Sequence, residues 1–196
     1  MFTLRVDDDI ELRLVELRHV DELQAMIERN LDHLRTWMPW ARESATRTDL
    51  VAWVRTSLQR YAEGTAIYAG IWYRQEIAGT VGLDIEPRQR SAEIGYWLDE
   101  AIQGRGVVSR SVRAVVDACF RDLGLHRVEI LCAPQNTRSC AVAQRLGFVH
   151  EGTLREAERL GERFVDLAIY GMVAGEWEID GEVDRTAVPL IRKDQV

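Results

Sequence analysis

The segment Gln103-Gly104-Arg105-Gly106-Val107-Val108 joins an extended apolar run, Ile94-Gly95-Tyr96-Trp97-Leu98, to a long amphipathic stretch that ends near Gly124. Glycines at a strand-to-helix junction leave backbone N–H groups unblocked, and with the positive end of the helix they make a cradle for a diphosphate. The stretch is not a nucleotide motif of either familiar kind. There is no Gly-x-x-x-x-Gly-Lys-Ser/Thr, and the Gly-x-Gly-x-x-Gly spacing fails at Ser109. A tight turn is the plain use of such a segment; the functional one is a phosphate-bearing cofactor other than ATP or NAD.

A second segment, Asn136-Thr137-Arg138-Ser139, opens a short helical pattern that closes at Arg145-Leu146-Gly147-Phe148. Together the two segments resemble motifs A and B of the GNAT superfamily of acetyl-CoA-dependent N-acetyltransferases, in order, from about residue 10 to about residue 173. The pattern Q-x-x-G-x-G/A is met at Gln103 and Gly106, with Val108 in its last place. The phrases Ala92-Glu93-Ile94-Gly95-Tyr96-Trp97-Leu98, Gln103-Gly104-Arg105-Gly106, Asn136-x-x-Ser139 and Arg145-x-Gly147-Phe148-x-x-Glu151-Gly152 look like the RimJ/RimL type. Those enzymes acetylate N-terminal amines of ribosomal proteins, and many relatives act on small amines. Many GNAT members carry a Tyr seven residues after the Asn, where this chain has Ala143.

The resemblance implies an α/β (α+β) fold: a mixed, mostly antiparallel sheet of six to seven strands, splayed between its fourth and fifth strands and flanked by helices. The pantetheine arm of acetyl-CoA would lie in the splay against the backbone of Tyr96, Trp97 and Leu98. Its diphosphate would meet the segment Gln103, Gly104, Arg105, Gly106, Val107 and Val108. Asn136 and Ser139 would complete the cofactor site, and CoA would leave as product. Ser139 stands where RimL-type enzymes are thought to protonate the departing thiolate. Their Glu, which accepts the amine proton, lies nineteen residues later and falls here on Glu158. Glu93 is the competing base. Trp37 and Trp40 fall in the region that tends to wall the acceptor site, although core packing is the default use of a Trp. Asn136 and Ser139 would also serve as helix-capping residues whatever the function.

The chemistry bears on the acceptor. Attack on a thioester needs a neutral amine, an oxyanion stabiliser and a proton for the thiolate. Deprotonating an α-amine of pKa ~8 costs about 1 kcal/mol at pH 7, against about 4 to 5 for a lysine near ~10.4. An α-amine asks less of the base. The expected reaction is acetyl transfer to the N-terminal α-amine of a protein by direct attack; a small-molecule amine, such as an antibiotic or polyamine, is the alternative. A CoA-binding regulatory module without turnover is the third.

At 196 residues and 46% hydrophobic content, the chain suits one domain, expected over residues 1–177, with an acidic tail over 178–196 that could instead form an edge strand. A net charge of −7 argues against a phosphate-backbone binder and agrees with a basic acceptor. No apolar run approaches the ~20 residues of a membrane span, and the charged start lacks a signal-peptide core, so a cytoplasmic location without membrane or nucleic-acid partners is expected. A homodimer is compatible with all of this. Cys119, Cys132 and Cys140 have no metal-type spacing, and the four histidines form no ligand pair, so no metal is expected. Cys140, beside Ser139, invites a thioester relay, but a small packed residue is the simpler use.

Along the chain, Ile10 to Val15 reads as an opening strand. A helix capped by Asp21 follows, then a short helix leading to Trp37-Met38-Pro39-Trp40 and a third helix capped by Thr48 or Asp49. Thr65 to Tyr73, Glu76 to Ile85 and Ser91 to Leu98 read as an antiparallel meander. A helix over Arg105 to Leu123 then returns the chain to a parallel strand, Val128 to Cys132. Phe148 to Leu154 and Arg163 to Met172 are the final strands, around a loop at Gly161.

Overall fold

The alternation of Ile10, Leu12 and Leu14 with Glu11 and Arg13 turns three apolar side chains to one face of a strand and buries all three. The same rule, repeated strand by strand, builds the sheet. A computed structural model describes residues 3–41 and 46–178. The strands are β1 (Thr3–Arg5), β2 (Ile10–Leu14), β3 (Ala66–Tyr73), β4 (Glu76–Glu86), β5 (Ser91–Leu98), β6 (Arg127–Cys132), β7 (Val149–Leu160) and β8 (Arg163–Val173). The helices are α1 (Val20–Arg29), α2 (Leu31–Leu34), α3 (Arg47–Ala62), α4 (Val107–Arg121) and α5 (Thr137–Arg145), with short 3-10 turns between elements.

Among the described residues the eight strands form one sheet in the order β1-β2-β3-β4-β5-β6-β8-β7. The meander β2 to β5 is antiparallel, and its β3–β4 turn places Arg74 and Gln75 both at positive φ, 53° and 71°, as a two-residue hairpin of right-handed strands requires. The α4 crossover makes β6 parallel to β5, and β8 and β7 complete the sheet as an antiparallel pair. The expected mixed, mostly antiparallel fold is present with one strand more than the six to seven anticipated. The addition is β1, three residues whose only buried side chain is Leu4, too short to show a periodicity.

Two apolar layers cover the sheet. On one face Val112, Val115, Val116 and Cys119 of α4 pack on Leu12, Ile71, Ile94 and Ile130. On the other, Val20, Leu23 and Met26 of α1 meet Leu50 and Val54 of α3 over Trp72 and Ile77. Fully burying a side chain of this size is worth about 1.5–3 kcal/mol, so these layers dominate the stability of the sheet's support.

Three local expectations are corrected. Asp21 does not cap α1; the helix starts at Val20 after His19, and Asp21 in the first turn pairs with Arg47 at 2.7 Å. The cap of α3 is Thr46, whose hydroxyl accepts from the Asp49 N–H while the Asp49 carboxylate accepts from the Thr46 N–H. The strand expected to end at Leu154 runs on to Leu160. A bulge lets it continue: three residues of β7 lie between the pairs Leu154↔Leu167 and Glu158↔Val165, where β8 has one. Glu156 takes φ 50° in this bulge, and its N–H donates to Asp166 Oδ1 at 2.8 Å. The acidic segment 178–196, whether tail or edge strand, lies from residue 179 onward outside the described residues. Among the described residues no helix is long and apolar enough to cross a membrane.

Candidate active site

The parallel ladder between β5 and β6 holds three pairs, Ser91↔Arg127, Ala92↔Val128 and Glu93↔Glu129. Beyond the third the strands part, although β5 runs on to Leu98 and β6 to Cys132. Residues Ile94 to Leu98 stay paired to β4 along their other edge, so the split leaves one edge of β5 without a strand partner over Tyr96, Trp97 and Leu98. Gly79 lets β4 come close there: a Cβ on it would lie 2.2 Å from the Trp97 carbonyl oxygen. Two cavities open on the split.

The first, about 730 Å³, lies on the α4 and α5 side. Its lining includes Tyr96, Trp97, Leu98, Gln103, Gly104, Gly106, Val107, Val108, Asn136 and Ser139, which is the expected cofactor set except for Arg105. Arg105 is exposed, and its carbonyl accepts from Arg110 Nη2 at 3.3 Å. Gly106 precedes the first turn of α4 at φ 71°, a left-handed conformation that glycine adopts without strain. No side chain caps that helix, and a Cβ on Gly104 would meet nothing within 4 Å, so the N-terminal amides of α4 open onto the cavity. Arg138 and Arg145 bring positive charge to the same lining. Gln103 spans its mouth, accepting from Arg138 Nη1 and touching His33 Nε2 at 2.7 Å.

The second cavity, about 660 Å³, lies on the α1 and α3 side. Trp37, Trp40, Trp53, Tyr68 and Trp97 wall it, with Asp84 and Glu158 among its carboxylates. Trp40 stays 41% exposed and meets Trp97 at 6.0 Å between ring centres, so it is a wall and not core. Arg60 holds the Asp84 charge at 2.6 Å and Tyr68 donates to it at 2.8 Å, whereas Glu158 makes no ion pair among the described residues. The two cavities share Trp37, Met38, Tyr96, Trp97, Asn136 and Ser139, and so meet through the split.

At the meeting point Asn136 Oδ1 accepts from the Ser139 N–H at 3.3 Å, the capping bond the sequence suggested. Ser139 Oγ lies 3.0 Å from the Tyr96 hydroxyl. Cys140 turns away into the core, its Sγ 3.3 Å from that of Cys132; burial pushes the Cys132 thiol up to about 12, so it is no thiolate at neutral pH. Cys140 lines neither cavity, so the thioester relay imagined for it has no thiol in place, while Cys132 reaches the wall of the second cavity. All three cysteines are unpaired, and among the described residues no His, Cys, Asp or Glu cluster suits a metal ion.

The two candidate bases are separated by the fold. Glu158, on β7 just past the bulge, is half-buried in the second cavity's wall, and burial raises its carboxyl above the usual range. Glu93 lies outside both linings, in the middle of a cross-strand row Asp84↔Glu93↔Glu129. Burial raises its carboxyl first, and the charges of Glu129, Asp84 and Glu158 add to the effect. Sequence reasoning missed the Tyr96 hydroxyl and the Trp53, Tyr68 and Asp84 side chains of the second cavity. These lie on α3, β3 and β4, and only tertiary pairing brings them together.

A sheet split between parallel neighbours, with a cradle of helix amides on one side and an acidic, aromatic chamber on the other, defines a group-transfer protein that holds donor and acceptor on opposite sides of one opening. Residues 9–149 match the acetyltransferase (GNAT) domain, and the chain belongs to that family: it is an acetyltransferase of the GNAT type. The ribosomal-protein-serine acetyltransferase of Escherichia coli (strain K12) is 32% identical over 172 residues, 87% of this chain and 96% of the relative. Among solved structures, RimL, the ribosomal L7/L12 alpha-N-protein acetyltransferase in complex with coenzyme A, superposes with a TM-score of 0.85 at 30% identity, covering 87% of this chain and 97% of that one. The microcin C7 self-immunity acetyltransferase MccE in complex with acetyl-CoA and AMP gives 0.82 at 32% identity, covering 86% and 94%.

Proposed function

We propose that this acetyltransferase moves the acetyl group of acetyl-CoA to the N-terminal α-amine of a protein, a ribosomal protein in the cytoplasm, by direct attack. The observation that carries the reading is the junction of the two cavities at Ser139, with Glu158 on the acceptor side only. The free edge of β5 at Tyr96, Trp97 and Leu98 offers unpaired amide groups to a pantetheine arm lying along it as an extra strand. The α4 amides around Gly104, Gly106, Val107 and Val108 take the diphosphate, with Gln103, Arg105 and Asn136 at its borders. Residues 1–177 make the working domain.

The amine enters past Trp37 and Trp40 as a cation, which the net charge of −7 favours. Glu158 accepts a proton from the amine and passes it to solvent. The nitrogen lone pair forms the new C–N bond, the C–S bond breaks, and Ser139 Oγ–H gives its proton to the sulfur and recovers one from cavity water. As the C–S bond breaks the nitrogen sheds its second proton, also through Glu158, so two protons leave the cation, one reaches the sulfur by way of Ser139, and the transfer releases one proton net. The relatives named for ribosomal-protein acetylation support the protein acceptor. The enclosed aromatic walls favour a second acceptor class, a small amine carried on a flat apolar body.

Release of CoA thiol from acetyl-CoA, measured over a panel of ribosomal N-terminal peptides and small amines, tests the reading. Turnover that depends on a peptide with a free α-amine, and is lost when that amine is blocked, supports it. Saturable CoA binding with no acceptor-dependent turnover on any member of the panel leaves a binding module and sinks it.

A further inference from the structure

The Tyr96 phenol is a partly buried hydroxyl that the acetyl transfer described above does not use. It stands at the one place where both cavities meet. Its oxygen lies 3.0 Å from Ser139 Oγ and 3.2 Å from the Ser139 carbonyl oxygen. Ser139 opens the first turn of α5, and its carbonyl is offered a donor by the helix ladder four residues on. The phenol has one proton to give and two acceptors within reach.

The choice fixes where the serine proton points. A phenol that donates to the carbonyl leaves Ser139 Oγ–H to donate back to the phenol oxygen, which holds the serine proton away from the split. A phenol that donates to Ser139 Oγ occupies a lone pair there and frees Oγ–H to face the cavities. Only the second arrangement delivers a proton to a sulfur in the split. It also gains as the reaction proceeds, because a hydrogen bond to an oxygen that is losing its proton strengthens. Burial holds the phenol far above its ordinary range, so it remains a donor at every working pH. The place seven residues after Asn136, where many GNAT members have their own Tyr, is the fully buried Ala143 and supplies no hydroxyl.

We propose that Tyr96 is a positioning residue for acetyl transfer: its hydroxyl donates to Ser139 Oγ, turning the serine proton toward the departing sulfur and stabilising the oxygen as that proton leaves. Tyr96 passes on no proton itself. The proposal rests on Ser139 being the acid of the reading above. Its own content is the direction of one hydrogen bond, and the backbone of Tyr96 is free to bond the pantetheine arm at the same time.

The test is a cycle of Tyr96→Phe, Ser139→Ala and the double variant, read as kcat and KM with acetyl-CoA and a peptide acceptor. The expected result is a fall in kcat of about tenfold for Tyr96→Phe, with KM for acetyl-CoA unchanged within about twofold. The double variant then equals Ser139→Ala alone. Parent-like kcat in Tyr96→Phe, or a full extra tenfold loss when it is added to Ser139→Ala, overturns the positioning role while leaving Ser139 as acid. Parent-like kcat in Ser139→Ala is a different failure: it removes the acid assignment and the Tyr96 role with it. A fluorinated tyrosine at position 96 covers the case of a misfolded Phe variant, since it keeps ring and hydroxyl but makes the phenol more acidic. Its kcat should stay near the parent's at neutral pH because the donor is retained, and a fall equal to that of Tyr96→Phe overturns the proposal.

Discussion

Replacing Glu158 by Gln keeps the shape of the second cavity's wall and removes the proposed proton acceptor. A positioned general base is worth about 10²–10⁴ in rate, and half-burial in an acidic chamber makes Glu158 a better base than a surface carboxylate. The expected loss of kcat at pH 7 is therefore about 10²-fold or more at saturating acceptor. That loss should shrink with pH in a calculable way. An α-amine of pKa ~8 is roughly one-tenth neutral at pH 7 and roughly nine-tenths neutral at pH 9, so the variant regains about tenfold over that span while the parent stays level. The acid side has a fixed sign. A carboxyl whose pKa is raised in the folded protein loses its charge at a higher pH than a free one, so the parent's activity declines on acidification above the ordinary glutamate range. In Glu158→Gln that limb is replaced by titration of the amine. Thiol release from acetyl-CoA with a peptide acceptor, followed from pH 5 to 9 beside thermal melts, makes the measurement. Parent-like kcat at every pH in Glu158→Gln, together with an inactive Glu93→Gln, would refute the reasoning and pass the base to Glu93.

The cofactor cradle is tested by Gly106→Asp: Asp tolerates the left-handed conformation at φ 71°, so the change places a carboxylate where the diphosphate belongs. CoA should raise the melting temperature of the parent, ATP and NAD should not, and the variant should show no CoA shift; unchanged CoA affinity would move the phosphate site elsewhere. Trp40 lines only the acceptor chamber and Trp37 lines both. Trp40→Ala should thus raise the acceptor KM about tenfold with the acetyl-CoA KM unchanged, whereas Trp37→Ala raises both, and equal rises for Trp40→Ala would return that side chain to a structural role. Glu93→Gln should stabilise the fold, because like charges opposite one another across strands cost about 0.2–1 kcal/mol, or about 0.4–4 °C in Tm for a domain of this size. The raised pKa of Glu93 makes that cost full above its folded value and absent below the ordinary carboxyl range. The gain in Tm should vanish on acidification, and a gain constant with pH would exclude a charge effect.

The fold was legible wherever a local rule and a tertiary one agree. Glycine junctions, hairpin residues and period-two alternation gave the meander, the α4 crossover and the parallel β6 with boundaries within about two residues, because each depends on neighbours in the chain. What escaped are features fixed by distant partners. The strand β1 is held by its ladder to β2, Thr3↔Arg13 to Arg5↔Glu11, and has no pattern of its own. The Thr46 cap is fixed by a reciprocal bond with Asp49, in competition with Thr48 and Asp49, which have the same capping chemistry.

The site divides along the same line. Its cofactor half is read from consecutive residues, Gln103 to Val108 and Asn136 to Ser139, since a helix N-terminus gathers its ligand-facing amides from one stretch of chain. Its other half is assembled from α1, the connection between α2 and α3, α3, β3, β4, β5, β6 and β7, and no window of sequence contains it. Glu158 shows why. The strand read from the sequence stops at Leu154, and a regular ladder continued from Leu154↔Leu167 would put Glu158 opposite Arg163, at the far end of β8. The bulge inserts two extra residues on β7, and the turn of Glu156 through φ 50° absorbs them, so that Glu158 re-enters the ladder opposite Val165 and joins the chamber wall. A catalytic role for Glu158 therefore depends on the bulge as much as on the carboxylate. The N–H of Glu156, held by Asp166 at 2.8 Å, is the bond on which the placement of the proposed base turns.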